Sequence, residues 1–255
     1  YRVRIGPYHK MDDVTHLRAD LARHGIEANV VRKDSERKRP MHERLTGWLF
    51  AIALALLATA LPSRAELVVG RDYVPIVPAQ MTDNPAKIEV IEFFSYGCGH
   101  CNDFHPIVSK WSAALPGDVA FQRIPVSFGR PQWASLARLF YALEATGDLA
   151  KLDGAVFDAL HKAGSRLYDD QSILEWVKAQ GVDGKKFTDA YNSFGVISKV
   201  KRADQMAQAY KIQGVPAMAV DGKYLVTGKE TKGFPDLLRL TDQVIDKARR
   251  DRSKK

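Results

Sequence analysis

The residues with the most chemistry in this 255-residue chain are its only two cysteines, which stand one helical turn apart in Cys98-Gly99-His100-Cys101. A hydrophobic run, Ile88 to Phe94, precedes them and reads as a strand. Ser95-Tyr96-Gly97 then reads as a tight turn. A strand, a turn and a helix that opens at a cysteine place the sulfur over free backbone N–H groups at the positive end of the helix dipole. The thiolate is the reactive form of cysteine, so Cys98 is the expected nucleophile near neutral pH. Cys101, one turn on, should face back toward the sheet and resolve a mixed disulfide formed at Cys98. His100, between the two, can place a proton donor or a positive charge near the Cys98 sulfur. That favours the thiolate and makes the disulfide form oxidising.

The same spacing is also half of a structural zinc site, which needs two further ligands. There is no third cysteine, and His100 sits inside the cysteine pair with His105 as its only near neighbour, so no metal and no organic cofactor are expected. A purely structural disulfide here would close a very short loop and stabilise little.

Glu92 lies in the strand ahead of the cysteines. Ile88, Val90, Glu92 and Phe94 share one face by alternation. An acid on an apolar face should be buried with a raised pKa, and could exchange a proton with Cys101. If that end of the strand is open, Glu92 is merely solvated. Downstream, Gly214-Val215-Pro216-Ala217-Met218 puts a proline at the start of a strand. Either peptide isomer suits that position; a cis bond would leave backbone groups facing an extended chain laid over Cys98.

The stretch from Glu92 through Cys101, together with Tyr191-Asn192-Ser193-Phe194 and Gly214-Val215-Pro216-Ala217-Met218, resembles the DsbA-type thiol:disulfide oxidoreductases of the thioredoxin superfamily. The likeness runs from about Tyr73 to the C-terminal helix. It implies an α/β thioredoxin fold with an inserted helical domain, Cys98 as nucleophile, Cys101 as its buried partner, Glu92 as the buried acid, and Val215-Pro216 as a cis-proline loop beside the disulfide. Valine before that proline resembles the oxidase branch. Gly99 departs from the proline that many members carry, and the dipeptide between the cysteines tunes the potential. The client surface is expected around Tyr96, Gly99, His100 and Val215. The implied partners are unfolded exported proteins with free cysteines and a DsbB-type, quinone-linked inner-membrane reoxidant. A reductase or isomerase of the same fold is the alternative. A monomer is expected, because isomerases of that compartment carry a separate dimerisation segment.

Residues 41–65 read as a secretory signal, with a basic start at Met41 to Arg44, an apolar run from Leu49 to Leu61 and small residues before Glu66. Export to the periplasm follows, an oxidising compartment in which a reactive disulfide persists. Residues 1–65 hold 12 Lys/Arg and 7 Asp/Glu, leaving 26 and 23 for the remainder, so the net charge of +8 falls to +3 (26 − 23) after cleavage. No basic stripe with interleaved aromatics supports nucleic-acid binding. Residues 1–40 resemble the C-terminal half of a SPOR domain, a peptidoglycan-binding module. Tyr1 to Pro7 and Ile26 to Val31 read as strands flanking a helix through Val14, Leu17 and Leu21. Half a module lacks a core of its own, so this segment is expected to be the tail of another reading frame or, if retained, a wall-binding extension.

For the remainder, the expected core comprises residues 66–127 and 196–255, with a helical insertion at 128–195. Val119 to Val126 reads as a second strand. Trp133, Leu136, Phe140 and Leu143 share a helical face, as do Leu152, Val156 and Leu160. Ser172 to Glu175 is a capping-box pattern for a helix that Gly181 closes. Ile197, Val200, Ala207 and Tyr210 mark a long helix. Tyr224 to Thr227 is a last strand, Pro235 opens a final helix, and Lys247 to Lys255 reads as a frayed tail.

Overall fold

In the computed structural model, residues 4–31, 66–227 and 231–254 are described. The signal segment at 41–65 lies outside the described residues. The chain divides into two units, residues 1–64 and 65–255.

In the first unit, helix α1 (Met11–Arg23) buries none of its residues. The two strands expected beside it do not appear among the described residues: residues 4–7 and 26–31 have no strand partner, and residues 1–3 lie outside the described residues. An isolated amphipathic helix offers no sheet for those segments to join.

The second unit is built on a five-stranded sheet in the order β1-β5-β4-β2-β3. Its strands are β1 (Val74–Pro75), β2 (Ile88–Phe94), β3 (Val119–Pro125), β4 (Ala217–Val220) and β5 (Tyr224–Thr227). β2 and β3 run parallel, joined through helix α2 (Gly99–Ala113), while β4 lies antiparallel to both β2 and β5. All seven residues of β2 are buried, as befits a central strand covered on both faces. Ile88 and Val90 pack with Phe104 and Val108 of α2 and with Leu237, Val244 and Ile245 of the last helix, α8 (Phe234–Arg252). Ile91 and Phe93 look the other way, into a larger core. That core takes in α3 (Pro131–Thr146), α4 (Leu149–His161), α5 (Asp170–Ala179), α6 (Gly184–Tyr191) and α7 (Phe194–Ala209). The fold is a thioredoxin sheet carrying a helical insertion between β3 and β4.

Three local expectations need correction. The capping box of α5 is formed by Asp169, which accepts from the Ser172 N–H at 2.8 Å; Ser172 is the reciprocal residue inside the helix rather than the cap. On α7 it is Val196 that turns inward, with Ala203 and Ala207, whereas Ile197 is 49% exposed. The C-terminal run is not frayed. α8 continues to Arg252, Ala248 is fully buried, Arg249 pairs with Asp118, and Arg252 holds the buried Asp221. Arg249 and Arg252 each find an acid far away in sequence, which composition alone does not reveal.

Leu237 has no exposed surface and links α8 to the sheet. Leu237→Ala should lower unfolding free energy by roughly 2–5 kcal/mol, since it removes buried methylenes and leaves a void. Urea denaturation of the oxidised protein measures this.

Candidate active site

The β2 strand ends at Phe94, and the chain turns through Ser95, Tyr96 and Gly97 into α2. Cys98 is the N-cap of that helix, in extended backbone conformation. Its own N–H donates to the Ser95 carbonyl at 3.1 Å, and its carbonyl accepts from Asn102 N–H at 3.0 Å. This turn is tightly held. The His161 ring Nε2 lies 2.7 Å from the Tyr96 carbonyl, which makes that nitrogen the donor. Trp133 lies over Gly97 so closely that a Cβ there would sit 2.6 Å from the indole nitrogen. Only glycine fits that approach.

Both cysteines are free thiols here, the dithiol state of the pair. Cys98 is half-buried and Cys101 has no exposed surface. Their proton affinities are driven apart. The Cys101 side chain donates to the Cys98 sulfur, and the backbone N–H groups of Cys101 and His100 add to it; with the charge of His100 they outweigh desolvation and lower the Cys98 pKa to about 6. Burial, then the hydrogen bond and negative charge of Cys98, push the Cys101 thiol far up. As a thiol, Cys98 also donates to the Val215 carbonyl at 3.5 Å. The Val215-Pro216 bond is cis, which places that carbonyl beside the nucleophile. Val77-Pro78 is a second cis bond, which sequence reasoning passed over. Gly99 and His100 are exposed at the helix tip, and Val215 is partly so.

Tyr96 does not lie on the client surface. It is 1% exposed, its ring packed edge-on against Phe94 and Phe157, and its hydroxyl donates to Asp153 at 2.5 Å. Phe157 of the helical insertion covers it.

Glu92 has no exposed surface at all. Burial raises its pKa, opposed by the charge of Arg123. Arg123 stands opposite it in the parallel register of β2 and β3, and its Nε donates to Glu92 Oε2 at 2.7 Å. The same guanidinium lies 3.9 Å from the Phe94 ring centroid and donates through Nη1 to Asp153 at 2.5 Å. Arg123, Asp153, Trp133 and His161 were all missed from sequence. Arg123 alone carried a signal, because a lone cation inside an otherwise core strand implies a buried partner. Among the described residues no cluster of His, Cys, Asp and Glu is arranged to hold a metal ion, and no helix is long and apolar enough to cross a membrane.

A thioredoxin sheet with a reactive dithiol at a helix start and a cis-proline beside it defines a thiol:disulfide oxidoreductase. The sequence profile of the DSBA-like thioredoxin domain matches residues 89–238. The thiol:disulfide interchange protein DsbA of Azotobacter vinelandii is 40% identical over 187 residues, spanning 73% of this chain and 87% of that protein. Its counterpart in Pseudomonas syringae pv. tomato is 38% identical over 198 residues, 78% of this chain and 92% of the relative. The crystal structure of Pseudomonas aeruginosa DsbA superposes with a TM-score of 0.70 at 37% identity, covering 74% of this chain and 97% of that one. The chain belongs to the DsbA-like thioredoxin family.

Ultraviolet thiolate absorbance of the dithiol protein should show one ionisation, with a midpoint at about 6, that disappears in Cys98→Ser. A thiol whose folded pKa lies below its unfolded value of 9.0 stabilises the fold above that value and ceases to do so as pH falls through about 6. The dithiol form should therefore gain stability relative to the disulfide form from about pH 6 up to about pH 9, read by denaturation of both forms across that range. A flat difference would refute the thiolate assignment.

Proposed function

We propose that this enzyme donates its Cys98-Cys101 disulfide to cysteine pairs of exported, unfolded proteins in the periplasm. The observation that carries this reading is the opposed ionisation of the pair: Cys98 held near 6 at an accessible helix tip, and Cys101 buried and protonated one turn below. A client thiolate attacks the Cys98 sulfur. A client–Cys98 bond forms, the Cys98-Cys101 bond breaks, and Cys101 leaves as a thiolate that takes up one proton. The client's second thiolate then attacks the client sulfur, which closes the client disulfide and releases Cys98 as a thiolate. The client loses two electrons and the enzyme gains them. A leaving group of low pKa is released readily, so stabilisation of the Cys98 anion favours this direction.

Glu92 serves as the proton reservoir for Cys101. Its burial supports that role, as does the effect of its charge on the Cys101 thiol. Val215 and Pro216 offer backbone groups to an extended client, with Gly99 and His100 forming the rest of the accessible rim. Reoxidation falls to a DsbB-type, quinone-linked membrane protein, and residues 41–65 act as the export signal. The relatives named above are thiol:disulfide interchange proteins, which supports this direction of chemistry.

The test is Cys101→Ala expressed in the periplasm. Without the resolving sulfur, adducts through Cys98 should accumulate on several secreted proteins and one membrane protein. Thiol reductant should release them, and the Cys98→Ser, Cys101→Ala double variant should lack them. Absence of reductant-sensitive adducts would count against donation to clients. A reduction potential more negative than about −230 mV would turn the reading to a reductase.

A further inference from the structure

Arg123 serves two carboxylates with one charge. Glu92 Oε2 receives Nε, and Asp153 Oδ2 receives Nη1. The two acids are not equally provided for. Asp153 accepts a second bond from the Tyr96 hydroxyl on its other oxygen, and its side chain keeps 18% exposure on the wall of a groove of about 810 Å³ beside β3. Glu92 has no exposure, and its Oε1 has no partner at all. Two anions around one buried cation leave an excess negative charge in a poorly solvated place, so one carboxyl must hold a proton more tightly than the other. Asp153, with two donors and contact with the groove, is the better-stabilised anion. Glu92, with one donor and none on Oε1, is the better proton carrier.

We propose that Asp153 is a positioning residue for the disulfide-transfer step: by engaging the outer edge of Arg123, it keeps the proton on Glu92, where Cys101 can take it as the disulfide opens. The inference rests on the reading of Glu92 as the reservoir for Cys101. In the step, the Cys98-Cys101 bond breaks, Cys101 leaves as a thiolate, and the Glu92 O–H proton passes to that sulfur. The carboxylate left behind is held by the Arg123 Nε–H. Reoxidation returns the proton.

The groove that Asp153 borders is also lined by Asp83, by Glu144 on α3 and by Lys199 and Arg202 on α7. Nearest the site itself, Arg123 lies on β3, Cys101 and His105 on α2, Tyr96 in the turn, and Asp153 and Asp158 on α4. His105 Nδ1 is 3.7 Å from Asp153, and burial lowers the His105 pKa against the opposing charge of Asp153. Burial and the Asp153 charge both raise Glu92, in agreement with the geometry.

The experiment is a carbon-13 carboxyl titration of the protein in its disulfide form, in which Glu92 holds the proton to be given, with the Glu92 signal assigned by its loss in Glu92→Gln. In Asp153→Asn the whole charge of Arg123 falls to Glu92, and its midpoint should drop by roughly 1–3 pH units. Asp153→Glu, which keeps the charge, should return it toward the unsubstituted value. The acid limb of the transfer-rate profile should move with it, which loss of packing alone does not produce. A folded Asp153→Asn protein with an unmoved Glu92 midpoint would overturn the proposal. So would a Glu92 carboxyl that titrates in the ordinary carboxylate range in the unsubstituted protein, since the geometry then would not hold the proton there. Glu92→Gln with an undiminished transfer rate would instead remove the reservoir role itself, and so separates the two failures.

Discussion

Two sulfurs one helical turn apart share a hydrogen bond and yet ionise on opposite sides of neutrality. That split depends on position more than on the cysteines themselves. The N-cap gives Cys98 two backbone N–H groups and a neighbouring thiol as donors, whereas the next turn of the same helix presses Cys101 against the sheet without water. The anion at the tip and the neutral thiol beneath support each other. The thiol donates to the anion, and the anion makes the thiol harder to ionise. Thiol–disulfide exchange is therefore directed through one sulfur only.

Holding this arrangement is the task of the surrounding fold. The turn before Cys98 is fixed from three sides: by His161 on the Tyr96 carbonyl, by Trp133 over Gly97, and by the Tyr96 ring set between Phe94 and Phe157. All of these but Phe94 and the turn residues come from the helical insertion. The insertion is thus more than an added client surface. Through α4 it also caps the Glu92–Arg123 pair, with Asp153 on the guanidinium and the Phe157 ring beside it.

Much of this was legible in the amino-acid sequence because it is written locally. The strand, turn and helix around the cysteines, the proline before β4, the strand Tyr224–Thr227 and the inward face of α8 each follow from residues close together in the chain. What was not legible is written across long separations. Tyr96 reaches Asp153 over 57 positions, and Arg123 reaches Asp153 over 30. Nothing in the periodicity of α4 marks Asp153 as a partner of Arg123, since an acid between Leu152 and Val156 reads equally well as a solvated edge. The one-residue misphasing on α7 has the same origin. Val196 and Ile197 are equally apolar, and only the packed insertion decides which faces in.

The buried charges also explain why a lone arginine is tolerated in a core strand. A guanidinium removed from water without partners costs several kcal/mol, and one carboxylate repays that only with good geometry. Arg123 has two carboxylates and an aromatic face. Pairing with both fixes three elements, β2, β3 and α4, around a single planar group. Its Nη2 remains without a partner, as does Glu92 Oε1. Two unsatisfied polar atoms in one buried site are a stability cost that a purely structural ion pair would shed, for instance by exchange for apolar residues of similar size. Their presence within reach of the Cys101 thiol's electrostatics fits a site for moving a proton, where an oxygen must be free to gain and lose it.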